Sequence, residues 1–278
     1  MKTKFAFAAA VGVLSVLAAP MALAQRGVVP GQYRPAADAK DLRATIFHWQ
    51  WYMGMLRGAQ EMELVSTLEH QATGTIMLGG QPCALSAYRV SNNYLKSGSR
   101  IQYTCKLANG QERKAIEVVS GAYAWDEDMM GAGLVEGVGK ATPRKDLLNE
   151  RLIRLWSGPQ GAPKAAAMGG DKTTVTWNGN KPTLTYPIPG VPGAIAKATL
   201  NDQFQAERIE VRQGGVVTEF TYGGYTDWNN ELNLIDAFYA GKLTEKKNGK
   251  VVCDLNTTVT ETGNVYVVMP VPRSVSGA

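Results

Sequence analysis

The chain has little of what most catalytic and nucleic-acid-binding proteins need. Its 278 residues include two histidines, His48 and His70, whose spacing excludes the compact His-x-His and His-x-x-x-His metal patterns. There is no Gly-x-Ser-x-Gly, and neither histidine sits in a triad-like context. Residues 129–141, MMGAGLVEGVGKA, lack the Gly-Lys-Ser/Thr ending of a phosphate loop and read as a glycine-rich connection. The net charge of +5 comes without a basic block, which argues for ordinary solubility rather than nucleic-acid binding. The aromatic residues have no surrounding basic groove of the kind a single-strand platform requires. Beyond the first two dozen residues, no stretch is long and apolar enough to span a bilayer. The expectation is therefore of no cofactor, no metal, no nucleic acid and no membrane-spanning segment.

The opening residues, MKTKFAFAAAVGVLSVLAAPMALAQ, read differently from the rest. Two lysines precede an apolar stretch from Phe5 to Ala19, and Ala22-Leu23-Ala24 precedes Gln25. That is the order of a bacterial secretory signal, with cleavage expected after Ala24. Residues 25–278 then form the mature protein, expected as a single domain in the periplasm of a Gram-negative bacterium. Removing Lys2 and Lys4 lowers the net charge from +5 to +3. An oxidising compartment permits a disulfide among Cys83, Cys105 and Cys253. In the hairpin described next, 83 and 105 fall opposite each other and are the expected pair. Cys253 is left as a buried small hydrophobe.

From Asp38 to about His70 the chain reads as helix. Leu42, Ile46, Trp49, Met53 and Leu56 form one apolar stripe, and Phe47, Trp51 and Met55 form a second. Strands follow at 73–78, 83–90, 100–107 and 112–123, joined by connections too short for crossover helices. Thr142 reads as the cap of a mid-chain helix with Pro143 in its first turn, running to Trp156 and stopped by SGPQGAP. Strands resume at 173–177, 183–186, 196–200, 205–212, 216–222, 241–247, 250–260 and 265–269, with Asn-Gly and Gly-Gly turns among them. The fold class expected is mainly β (α+β). A single curved antiparallel sheet of about ten strands is expected, with the long first helix and the mid-chain helix on one face.

The stretch GAYAWDED, residues 121–128, ends one of these strands in Asp126, Glu127 and Asp128. Two carboxylates can divide acid and base roles, or contribute to a calcium site, but such a site needs six to eight oxygens. The sequence lacks the alternating Asp/Asn pattern of a calcium loop, so the reading is a strand end reaching solvent.

The order of elements resembles the lipoprotein-carrier superfamily, which includes the periplasmic lipoprotein chaperone, its outer-membrane receptor partner and related sensor and lipid-binding proteins. The resemblance rests on the long first helix, the strand ending in Gly121-Ala-Tyr-Ala-Trp125-Asp126, and the mid-chain helix. It rests also on Tyr222, Tyr225 and Asp227, Gly241-Lys242-Leu243, Asn248-Gly249-Lys250 and the last strand before Pro270. The chain is longer than the carrier proper, adds PIPGVPG, and has Ala240 where a proline precedes the Gly-Lys-Leu strand start. The resemblance implies an unclosed barrel whose helix-covered concave face binds acyl chains or other hydrophobic ligands. The residues expected around such a ligand are Trp49, Trp51, Met53 and Leu56 from the first helix, with Trp125, Met129, Met130 and Leu134. Two other classes stay open. One is an envelope interaction or sensor protein, using exposed aromatics such as Trp228 and Tyr239. The other is an enzyme on a hydrophobic substrate, with Asp126, Asp128 or His48 as base.

Overall fold

The computed structural model describes residues 33–57, 62–227 and 237–277. The expected export signal and Trp228 lie outside them. Helix α1 (Leu42–Tyr52) begins where the Asp41 carboxylate accepts the Ala44 N–H at 3.0 Å. It stops early because Gly54, at φ +65°, turns the chain left-handed, and the Met55 N–H returns to the Gln50 carbonyl at 2.9 Å. The expected helix to His70 is therefore corrected to eleven residues. Past the turn, β1 (Leu56–Arg57) pairs with β2 (Met62–Glu63), and His70 lies in strand β3 (Thr67–Leu78).

The first meander continues through β4 (Gln81–Asn93), β5 (Gly98–Leu107), β6 (Glu112–Ser120), β7 (Tyr123–Glu127) and β8 (Ala141–Pro143). Helices α2 (Leu148–Ser157) and α3 (Gly161–Met168) follow. The second meander runs through β9 (Thr174–Asn178), β10 (Lys181–Pro187), β11 (Ile195–Leu200), β12 (Ala206–Gln213), β13 (Val216–Asp227), β14 (Phe238–Lys247) and β15 (Lys250–Thr262). Among the described residues, β3 to β15 form one antiparallel sheet of thirteen strands, in the order 8-7-6-5-4-3-15-14-13-12-11-10-9. The two meanders join where β3 pairs with β15. The end strands β8 and β9 do not pair, so the sheet is unclosed. The chain must travel from one edge to the other, and α2 and α3 make that crossing over one face. The helix cover of the sheet is thus a consequence of strand order.

Four boundaries differ from the sequence reading. The strand expected to run from 112 to 123 is a hairpin, since Gly121 at φ +57° turns β6 into β7. Residues 141–143 are an edge strand, because β7 is short and its outer side is open, so α2 starts six residues after Thr142. SGPQGAP ends α2, yet α3 starts within it. Residues 265–269 are not a strand, since β15 already has β14 and β3 on its two sides. Asn264 instead accepts the Tyr266 N–H, and the chain leaves the sheet toward the short helix α4 (Arg273–Ser276).

The alternation along each strand sorts the core into two faces. Under the helices, the fully buried Trp49, Met53, Trp156, Tyr186 and Phe220 sit in one cluster with Leu152, Leu184 and Ile209. On the opposite face, Val118, Trp125 and Ala141 are covered by Val267, Met269 and Val275 of the C-terminal segment. Cys83 and Cys105 form a disulfide with Cα atoms 5.4 Å apart, as their hairpin placement predicts. Closing a loop of this size stabilises a domain by about 3 kcal/mol. Cys253 is free and buried beside that bond.

Candidate functional site

Space remains under the helix cover at one end, between α2 and the strands β3 to β6, β14 and β15. A cleft of about 260 Å³ opens there, with Ile76, Leu78, Tyr103, Leu147 and Val252 among its apolar lining. It shares Tyr88, Ile101, Arg154, Glu245 and Cys253 with a deeper cavity of about 40 Å³ that reaches His70, Tyr222 and Tyr239. The deeper volume is room for water and not for an alkyl chain. The rest of the covered face is filled by the chain's own side chains.

The polar lining comes from the charged side of α2. Arg154 donates from Nε to Glu245 at 3.0 Å and reaches Glu150 at 3.4 Å and Glu117 at 3.7 Å. Burial works against the charge on Arg154, but Glu245 and Glu117 outweigh it and raise its pKa well above the usual arginine value. Glu150 also accepts from Lys247 at 2.6 Å. Burial opposes the Glu150 charge; the Lys247 hydrogen bond and the field of Arg154 overcome it and hold the carboxyl below its ordinary value. Arg151 pins α2 to the sheet, donating to the Val118 carbonyl at 2.9 Å, the Trp125 carbonyl at 2.6 Å, and the Asp126 carboxylate. The cleft thus combines apolar side chains with a network of paired charges, of which Arg154 and Glu245 also line the deeper cavity.

Deeper in, burial sets the chemistry. His70 packs against Tyr239 with ring centroids 4.9 Å apart, and its Nδ1 lies 3.2 Å from the Tyr239 hydroxyl. Burial lowers its pKa to about 4, so the ring is neutral near pH 7. Burial, reinforced by Glu245, pushes the Cys253 thiol up to about 12. A thiol that stays protonated is a packing group and not a nucleophile.

The residues singled out from the sequence are distributed over the molecule. Trp49 and Met53 are wholly buried in the main core, Trp49 against Tyr186 with ring centroids 6.4 Å apart. Trp51 is 43% exposed on the outer side of α1, stacked on Phe47 beneath Arg34. Leu56 lines a shallow groove with Tyr33, Arg43 and Phe47. Trp125 lies on the other face of the sheet, and Met129, Met130 and Leu134 are exposed on the loop that follows β7. None of the eight lines the cleft among the described residues. Tyr239, read as an exposed aromatic, is buried in the deep cavity, and His48 is buried against Phe204 with its Nε2 3.2 Å from the Ala36 carbonyl.

The acidic stretch is also corrected. Only Asp128 is exposed. Asp126 holds Arg144 at 2.7 Å and Arg151, facing the helices. Glu127 is buried on the opposite face, accepting Trp125 Nε1 at 2.9 Å and the Gly131 N–H at 3.0 Å, beside Arg100. These are structural ties, and among the described residues no group of three or more His, Cys, Asp or Glu is placed to hold a metal ion. Cys253 is the buried small hydrophobe expected, and His70, expected at the end of the first helix, lies in β3. Arg151, Arg154 and Glu245 are not singled out by the sequence. The signal available for them was two arginines three apart on one side of a helix whose other residues pack the core.

No family model matches the chain, and no curated protein matches it. Among solved structures, a domain from Vibrio parahaemolyticus described as an outer membrane lipoprotein-sorting protein aligns with 81% of this chain and 94% of its own. The TM-score is 0.47 and the identity 9%. Among the described residues no helix is long and apolar enough to cross a membrane.

Proposed function

We propose that this is an exported binding or carrier protein for a hydrophobic or amphiphilic molecule. The ligand's apolar part packs in the cleft between α2 and the sheet, and its polar end meets the charged side chains of α2 and β14. In this reading residues 1–24 are removed on export, and the remainder works as one domain in the periplasm. The observation that carries it is the cleft itself, lined by Ile76, Leu78, Tyr103, Leu147 and Val252 together with charged Glu150, Arg154 and Lys247. Binding sites for small molecules combine mostly apolar walls with a few placed polar groups in the same way. At about 260 Å³ the cleft is smaller than most such sites, so a long chain requires α2 to move outward. The disulfide fits an oxidising compartment.

A fluorescent fatty-acid probe tests this reading. The wild-type protein is expected to bind it saturably, and Leu147→Trp, which fills the cleft from a half-buried position, is expected to weaken binding by about tenfold or more. Absence of uptake by the wild type, or equal binding by the variant, contradicts the proposal. A second reading, an envelope interaction protein without a ligand, is favoured by one feature: the dense packing of Trp49, Trp156, Tyr186 and Phe220 under most of the helix cover.

A further inference from the structure

We infer that residues 128–140, the loop between β7 and β8, form an apolar tip that seats the protein on a lipid surface. The loop lies outside the ligand cleft and presents Met129, Met130, Leu134, Val135 and Val138 to solvent, each 43–64% exposed. One charged side chain, Glu136, stands among them. In a water-soluble protein an exposed group of this kind marks a surface that something else covers.

The loop is built to hold these side chains out. Part of its backbone is hydrogen-bonded within the loop. Ala132 N–H donates to the Met129 carbonyl at 3.0 Å, Gly133 to Val138 at 2.9 Å, Leu134 to Gly131 at 3.2 Å and Val138 to Val135 at 3.1 Å. Two carboxylates close its base. Glu127, whose side chain is fully buried, accepts the Gly131 N–H, and Asp128 accepts the Lys140 N–H at 2.8 Å. Gly139, at φ +67°, lets the two arms meet, for a Cβ there would fall 2.7 Å from the Met129 Cγ. Five apolar side chains are therefore carried on a loop whose shape is fixed by its own hydrogen bonds, so that they are presented to a lipid interface without refolding.

The same features argue against a protein as the occupant. A stable protein interface takes roughly 20–30 residues a side and is anchored by aromatic and arginine side chains. This tip is about ten residues long, and its exposed side chains include neither a ring nor a guanidinium. A lipid surface asks for no complementary shape. Glu136 limits the depth, keeping the tip at the headgroup boundary. Exposed Lys140 ends the loop, and exposed Lys145 follows it in sequence.

The test is flotation of the purified protein with vesicles of phosphatidylethanolamine and phosphatidylglycerol, and separately with phosphatidylcholine alone. Because the full chain also carries the apolar stretch from Phe5 to Ala19, the quantity read is the difference between variants of one chain. Met130→Ser/Val135→Ser is expected to lower vesicle partitioning by about tenfold or more on both compositions, with the thermal midpoint unchanged. Val265→Ser/Tyr266→Ser, on another exposed apolar segment, is expected to leave it unaltered. Three results overturn the inference: no vesicle binding by the wild type, binding indifferent to the loop substitutions, or binding that needs phosphatidylglycerol and disappears in salt. A concentration-dependent dimer lost in the loop variant also overturns it, making a second copy of the chain the occupant. The loop side chains do not line the cleft, so failure here leaves probe uptake untouched, and failure of probe uptake leaves flotation untouched.

Discussion

Arg151→Leu is expected to destabilise the protein by about 3–5 kcal/mol, chiefly the cost of taking a guanidinium donor away from two buried carbonyls. The Arg151 side chain is 4% exposed, and its guanidinium serves three acceptors at once. Two are the carbonyls of Val118 and Trp125, which face each other across β6 and β7. The third is Asp126, held also by Arg144. Leucine fills much of the volume but leaves two carbonyls short of a donor on the face that α2 covers. Each unsatisfied buried acceptor costs about 1–3 kcal/mol, which supports the same range. Arg151→Lys recovers only part of the loss, since an ammonium cannot span the three acceptors in the fixed plane of a guanidinium. The check is the urea midpoint of unfolding, with the slope compared to show that the unfolded state is unaltered. A loss under about 1 kcal/mol would mean that α2 is held by its apolar side alone.

Acid is expected to destabilise the protein before its carboxylates titrate, because of His70. The ordinary histidine value is 6.5, and in the folded protein burial lowers that of His70 to about 4. The unfolded chain therefore takes up a proton that the folded protein refuses. The stabilisation is complete above pH 6.5 and is lost as pH falls toward 4. Between pH 7.5 and 4.5 the expected loss is about 2.5 kcal/mol. Glu69 and Glu150 are kept low, against burial, by hydrogen-bond and ion-pair partners, so their contributions fall away at lower pH. His70→Gln is expected to flatten the curve over this window, whatever its effect on stability at neutral pH. Parallel curves for the two proteins would show that another group, and not the histidine beside Tyr239, senses the acid.

Much of the fold was legible because antiparallel strands declare themselves locally. Alternation and Asn-Gly or Gly-Gly turns marked most strands of both meanders, and the placement of one hairpin predicted the Cys83–Cys105 bond. The failures have two physical sources. Around α1, the apolar spacing continues past Tyr52, yet the left-handed conformation at Gly54 outweighs it and the chain turns to strand. At GAYAWDED, the difference lies in one turn. Read as a continuous strand, Trp125 falls on the face opposite to Val118. With the hairpin at Gly121, Trp125 stands directly across from Val118 and shares its face. That shift carries Trp125 and Glu127 to the far side of the sheet and leaves Ala124 and Asp126 beneath the helices. The candidate site was the least legible part. Its residues come from β3 to β6, α2, β14 and β15, parts distant in the chain that meet only after the two meanders pair. Arg154 and Glu245 carry no motif; they are recognised as a half-buried arginine paired with a buried glutamate.

The claim that a hydrophobic molecule occupies the cleft is tested most directly by native mass spectrometry of the processed protein, isolated from its own compartment without detergent. The account predicts an added mass that dissociates on denaturation and is recovered in organic solvent as a lipid or other apolar compound. A bare protein mass, from preparations that also take up no fatty-acid probe, would contradict it.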